Sequence, residues 1–190
     1  MRARTTPVRR ILPLLCCLVL AACASPSAPT GPNRCYERGM ADKDRCLPEA
    51  LRPLDLLAGG APMTVTVDAR CEWNPSGVIL ERGARYNLKV TRLREDWEDW
   101  QTPADLETGW PQRYAWGARH MQPWARAPRL PMYALIGAQG REERTFFVVG
   151  RDTTLTAARG EELLFFANDW PGRYDNNHGC VELQIQKLGP

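Results

Sequence analysis

The sequence predicts an all-β fold, a jelly-roll-like β-sandwich of short antiparallel strands. Three observations lead there. From Met63 the chain alternates apolar and polar residues (MTVTVDAR), the period of two expected of a half-buried strand. Short β-type runs follow, and the chain's 15 glycines and 16 prolines supply turns between them. No long stretch repeats with the helical period of 3.6.

The elements come in this order. After the alternating run from Met63, strands are expected over Val78–Leu80, Tyr86–Leu93, Tyr133–Ile136, Thr145–Val149, Leu163–Ala167 and Val181–Ile185. Turns are expected at Asn74-Pro75-Ser76-Gly77, Arg82-Gly83, Arg159-Gly160 and Pro171-Gly172, where Pro presets φ and Gly tolerates positive φ. Arg141, Glu142, Glu143 and Arg144 form a charged hairpin tip. Residues 94–131 break the rhythm. They hold five of the seven tryptophans (Trp97, Trp100, Trp110, Trp116, Trp124), and a long irregular segment so rich in Trp is functional rather than disordered.

Ahead of the strands the chain reads as an address. Arg2, Arg4, Arg9 and Arg10 precede an apolar stretch, Ile11 to Ala22, that is too short for a membrane-spanning helix, which needs ~20 residues. Leu20-Ala21-Ala22-Cys23 resembles the bacterial lipobox, which implies signal cleavage after residue 22 and lipidation of Cys23. Ala24, rather than Asp, follows that cysteine, which by the same resemblance points to the outer membrane, facing the periplasm or the cell surface. Several acyl chains on one residue, at ~0.8 kcal/mol per buried CH₂, anchor a protein stably. The expected organisation is a signal peptide over 1–22, a lipidated Pro-rich tether over 23–34, a small Cys-bounded segment over 35–62 and the sandwich over 63–190.

Removing the signal changes the arithmetic. The precursor carries 25 basic and 22 acidic residues, a net charge of +3; without the four signal arginines 21 basic residues face 22 acidic ones, a net of −1. Neither value is the footprint of a nucleic-acid binder. Of seven cysteines, Cys16 and Cys17 leave with the signal and Cys23 takes lipid. Cys35, Cys46, Cys71 and Cys180 remain, an even number that suggests two disulfides in an exported protein. Of three connectivities, Cys35–Cys46 with Cys71–Cys180 is favoured, although Cys180 is out of phase with Val181, Leu183 and Ile185 unless the strand starts after it.

The chemistry concentrates in Phe166–Gly179, the run FANDWPGRYDNNHG. Asp169, Asp175, Asn176 and Asn177 offer oxygen donors, and a Pro-Gly turn can fold them together, as a hard cation such as Ca²⁺ requires. The same composition also suits a plain turn. The run resembles the signature loop of the galactose-binding-domain-like family that includes the calcium-dependent galactophilic bacterial lectins. Asn168, Asp169, Pro171, Gly172, Tyr174, Asn176, Asn177 and Gly179 match it. Trp73 to Gly77, Trp97-Glu98-Asp99-Trp100, Leu135-Ile136-Gly137, Phe147 to Gly150 and Gly160 to Leu163 agree in order, so the similarity covers about residues 63–187. The resemblance implies Ca²⁺ held by Asp169, by Asn176 and Asn177, and by the carbonyls of Arg173 and Trp100. It implies sugar hydroxyls bound to the ion, to Asp169 and to Asn176; Trp170 and His178 of the loop and Trp97 as an indole platform complete the expected sugar-contacting set. Trp170, Arg173, Asp175 and His178 depart from the smaller or neutral residues of those lectins, and His120 and Gln122 do not align securely with their second sugar loop.

Trp97 and Trp100 read equally as core or as a sugar platform. Glu95, Asp96, Glu98 and Asp99 read as a solvated acidic loop, with cation ligation by Asp99 as the alternative. No nucleophile elbow or phosphate loop occurs. The expected function is that of a non-enzymatic outer-membrane lipoprotein carrying a Ca²⁺-dependent carbohydrate-binding sandwich. A structural or adaptor lipoprotein holding an envelope protein is the alternative, and a glycosidase using Asp99 and Asp169 is a third reading.

Overall fold

A computed structural model describes residues 58–189. The signal segment 1–22, Cys23, the tether 23–34, Cys35, Cys46 and most of the 35–62 segment lie outside them. Among the described residues no helix is long and apolar enough to cross a membrane.

The chain forms an all-β sandwich of two antiparallel sheets. Its strands are β1 (Met63–Asp68), β2 (Asn74–Ile79), β3 (Arg85–Asp99), β4 (Thr102–Pro103), β5 (Leu135–Gln139), β6 (Phe147–Val148), β7 (Asp152–Thr156), β8 (Glu162–Ala167) and β9 (Asn177–Gly189). One sheet runs β1-β9-β3, with β7 and β4 on opposite ends of the free edge of β3. The other runs β2-β8-β5-β6. A short helix, α1 (Ala115–Met121), lies between β4 and β5, flanked by single 3₁₀ turns.

Alternation explains the core. Val65 and Val67 of β1, Tyr86 and Leu88 of β3, and Val181, Leu183 and Ile185 of β9 meet Val78, Leu135, Leu163 and Phe165 from the facing sheet. The run ELLFFA of β8 is apolar on both faces because both are covered. Leu164 and Phe166 point outward into a second cluster with Ile136, Ala138, Trp73 and Phe146. Trp73 is therefore a packing residue of the outer face, and the Arg126 guanidinium lies 4.6 Å from its ring centroid.

Several elements differ from expectation. Asn74–Gly77 is not a turn but the start of β2: Asn74 Nδ2 donates to the Asp68 and Phe165 carbonyls, which holds the segment against β8. β7 (DTTLT) buries only Leu155 and pairs the edge of β3, so its apolar signal is weak. The acidic run Glu95–Asp99 is the end of β3, not a loop. β9 starts at Asn177, so Cys180 lies inside it, opposite Asp68. It is buried despite being out of phase, and Cys71, also buried, follows the turn after β1, where strand parity no longer applies.

The β3–β9 ladder runs to Asp99↔Asn177 and carries irregularities near this end. Gly179 makes one of them possible. Its φ is +124°, and a Cβ there would sit 2.8 Å from the Trp97 Cα and 2.9 Å from the Asp96 carbonyl oxygen, both backbone atoms that cannot yield cheaply. Gly179→Ala is expected to destabilise the protein by about 3 kcal/mol in urea unfolding, whereas Gly172→Ala, also at positive φ but with open space around it, should lose much less.

Candidate functional site

The site forms where the β8–β9 loop meets the tip of β3. β8 ends at Ala167, and Asn168, fully buried, ties the loop down. Its Nδ2 donates to the carbonyls of Ala127, Leu130 and Pro131 at 2.9–3.0 Å, and its Oδ1 accepts from the Ala127 N–H at 2.9 Å. Asn168 is a scaffold residue rather than a ligand. The Pro171-Gly172 turn follows, closed by the Arg173 N–H donating to the Trp170 carbonyl at 3.0 Å, with Gly172 at φ +79°. Pro at the first central position and Gly at the second is the chemistry of a type II turn. The Gly172 N–H donates to Glu72 Oε1 at 2.7 Å, and Glu72 pairs with Arg126. Tyr174, buried, donates its hydroxyl to the Ala167 carbonyl at 2.9 Å and closes the loop on itself.

The β3–β4 hairpin supplies the other wall. Asp99 pairs Thr102, leaving Trp100 and Gln101 as a two-residue turn with φ of 41° and 67°. Two left-handed residues form a type I′ turn, which favours Asn-Gly. A Trp and a Gln here hold strain of the kind concentrated at functional sites. The outcome is that Trp100 stands 75% exposed beside the loop, its N–H directed to the Asn176 carbonyl at 3.3 Å.

One surface depression of about 320 Å³ is lined by Asp99, Trp100, Met121, Asp169, Trp170, Arg173, Asp175 and Asn176. Two acids sit at its base. Asp99 is 6% and Asp169 4% exposed. Asn176 Nδ2 donates to Asp99 Oδ1 at 2.9 Å, and the Trp170 N–H donates to Asp169 Oδ1 at 2.7 Å. Asp169 Oδ2 is buried without a hydrogen-bond partner among the described residues. Asn177, fully buried next to Asp169, donates its Nδ2 to the Ala69 carbonyl at 3.1 Å, and its Oδ1 likewise has no partner. The Ala69 carbonyl can only accept, so it fixes which way the amide faces. Burial, then the Asp169 charge, pushes the Asp99 carboxyl up to about 6, and burial raises Asp169 as well. The Arg126 and Arg173 charges draw the Asp169 carboxyl partly back down, but two buried oxygens still lack donors next to the buried Asp99, which leaves room for a further positive charge.

Among the described residues no three His, Cys, Asp or Glu side chains converge as a metal centre. The donor set here is two carboxylates, amide oxygens and backbone carbonyls. That set fits a hard cation taking oxygen ligands, not zinc with its sulfur and imidazole ligands.

Of the residues expected in the site, Asp169, Asn176, Trp170, Arg173 and Trp100 line the depression, and Asn177 lies next to Asp169. Trp97 does not join them. It is 3% exposed in the core, and its indole N–H donates to the Tyr133 carbonyl at 2.8 Å, so no sugar can stack on it. His178 is displaced too. It follows Asn177 in the strand, faces the other way, and lines a separate cleft with Asp68, Arg70, Glu95, Asp96 and Glu98. His120 and Gln122 are outside the depression as well: His120 packs on Trp116, and Gln122 donates to the Pro128 and Leu130 carbonyls. Sequence reasoning missed Met121 and Tyr133. Tyr133 is buried at φ 64° and donates its hydroxyl to the Glu98 carbonyl, bracing the β3 end; a positive-φ Tyr has no sequence signature.

No family model matches the chain, and a search of curated proteins returns no match. Among solved structures the chain is similar to the N-terminal domain of EclA, described as a PllA-like lectin. The identity is 18% over 65% of this chain and 94% of that domain, with a TM-score of 0.48.

The acids have a consequence for stability without added cation. A carboxyl raised from 3.8 to about 6 on folding keeps a proton that the unfolded chain releases between those values. Stability from this group is therefore full below about pH 4 and falls as pH rises to 6. Asp99→Asn should flatten this decline and raise the melting temperature at pH 7 in chelator, measured by calorimetry across pH 4–7.

Proposed function

We propose that this protein is a non-enzymatic, Ca²⁺-dependent carbohydrate-binding module. The observation that carries the reading is the pair of unpartnered buried oxygens, Asp169 Oδ2 and Asn177 Oδ1, next to the second buried acid Asp99. Asp169, Asn177, Asn176 and Asp99, with the carbonyls of Trp100 and Arg173, are the residues that would hold the ion. When bound, the ion supplies direct coordination of sugar hydroxyls. The chain's own part is to hold its oxygens in place through the β3–β9 ladder and the Pro171-Gly172 turn. Trp100 and the half-buried Trp170 border the depression, where indoles meet the apolar face of a sugar ring. The module stands on a tether lipidated at Cys23 in the outer membrane, and Cys35, Cys46, Cys71 and Cys180 close two disulfides.

Extracellular Ca²⁺ modules bind at ~10⁻⁴–10⁻³ M. At 10 mM Ca²⁺ and a Kd of ~10⁻⁴ M, linkage stabilises the fold by about 2.7 kcal/mol. Scanning calorimetry should show a melting temperature raised by several degrees with Ca²⁺ and not with Mg²⁺, and Asp169→Asn should abolish the rise. No Ca²⁺ effect at 10 mM, with Asp169→Asn unchanged, sinks the reading. A glycan array without hits, together with a co-purifying envelope protein, turns the reading to an adaptor.

The two acids favour a second reading. On that reading Asp99, whose carboxyl burial pushes up to about 6, would donate the proton, with Asp169 as its partner carboxylate. Turnover of aryl glycosides that Asp99→Asn abolishes would establish it. The anchor is tested separately: labelled palmitate should enter the chain in a bacterial host and be lost with Cys23→Ser.

A further inference from the structure

We propose that the binding surface continues from the Asp99–Asp169 depression along a row of aromatic rings, and that its ligand is a chain of several sugar residues. This rests on the carbohydrate reading above. Trp116 and His120 stand four apart on one face of α1, and Trp124 stands in the 3₁₀ turn that follows it. The Trp116 and His120 rings lie 4.5 Å apart, and the Trp124 ring lies 6.4 Å from that of Trp170. Trp170 lines the depression, and its indole N–H donates to the Met121 carbonyl at 3.0 Å, which holds the ring against the end of α1. The row therefore consists of two ring pairs, Trp116 with His120 and Trp124 with Trp170, one on α1 and one at its end, and the second pair reaches the buried acids.

These rings are not core. Trp116 is 78% and Trp124 68% exposed, and no residue of α1 is fully buried. From Trp116 to Trp124 the rise through α1 and the 3₁₀ turn is about 13 Å, longer than one pyranose ring, so the row is built for more than a terminal sugar. The occupant is a sugar chain because the rings continue from the depression that holds the sugar in the reading above, and the exposed Arg113 and Arg119 beside them offer hydrogen-bond donors for hydroxyl edges.

The test uses the full chain in 10 mM Ca²⁺, with methyl galactoside, glucoside and mannoside and the linear two- to four-unit oligosaccharides of the same sugars as probes. Affinity comes from calorimetry and the Trp116 and Trp124 indole N–H resonances from NMR. Affinity should rise at least tenfold from one unit to four. Trp116→Ala, at a largely exposed position outside the core, should remove most of that gain and leave single-ring affinity within twofold. Equal affinity for one and four units, or a Trp116→Ala loss shared equally by both, overturns the proposal. Single rings that bind while no chain moves the two indole resonances overturn the row and leave the ion site standing. Chains that move those resonances while single rings fail to bind support the row and remove the ion site. No binding of any probe overturns both. Loss of anionic-vesicle binding in Trp116→Ala, without a chain-length gain, overturns the row in favour of a lipid surface.

Discussion

Two carboxyl groups withdrawn from water at the end of one β-ladder are the constraint on which the rest of the site depends. Asp99 and Asp169 come from a strand and a loop seventy residues apart in sequence, and among the described residues no cationic side chain hydrogen-bonds either, although Arg126 and Arg173 lie near enough to Asp169 to act on its charge. Burying such a pair opposes folding unless something positive joins it or a proton neutralises it. The protein tolerates this because the backbone around the acids is tied down independently. Asn168 makes four hydrogen bonds to the 127–131 segment, Tyr174 closes the loop on Ala167, and Tyr133 and Trp97 brace the β3 end from within the core. The sandwich core supplies the stability, and the site uses some of it.

Strain and exposure occur together at the same place. Trp100 and Gln101 adopt the left-handed conformations of a hairpin turn that favours Asn and Gly. A large apolar ring is thereby displayed in water beside two acids hidden from it. Both features are unfavourable to a protein that only has to fold, and both are compatible with a surface that receives a polar ligand with apolar faces. Further out, Trp116 on α1 and Trp124 in the turn after it add exposed rings, beside a helix that has no fully buried residue.

Much of the scaffold was legible wherever the apolar signal was local. β1, β8 and β9 lie where alternation or a continuous apolar run places them. β7 escaped because an edge strand with one inward residue has almost no pattern, and β2 because Asn-Pro-Ser-Gly looks like a turn until a neighbouring strand pairs with it. Among the tryptophans, Trp97 and Trp100 stand three apart and could not be separated by composition. Strand parity buries the first with Asp99, and the hairpin turn exposes the second. The same parity sends Asn177 and His178 to opposite faces, which is why one belongs to the depression and the other to the acidic cleft.

By itself the sequence determined what is contiguous: the β-period, the Pro-Gly turn, and the run of oxygen-bearing side chains from Asp169 to Asn177. These are set by local backbone preference and need no partner to be read. Tertiary structure decided everything that depends on which face a residue takes and what lies opposite. It made Asp99 the partner of Asp169, left two oxygens without donors, turned Trp97 inward and joined α1 to the rim. The physical reason is that burial and charge repulsion are properties of an environment assembled from distant segments, which no single stretch of chain contains.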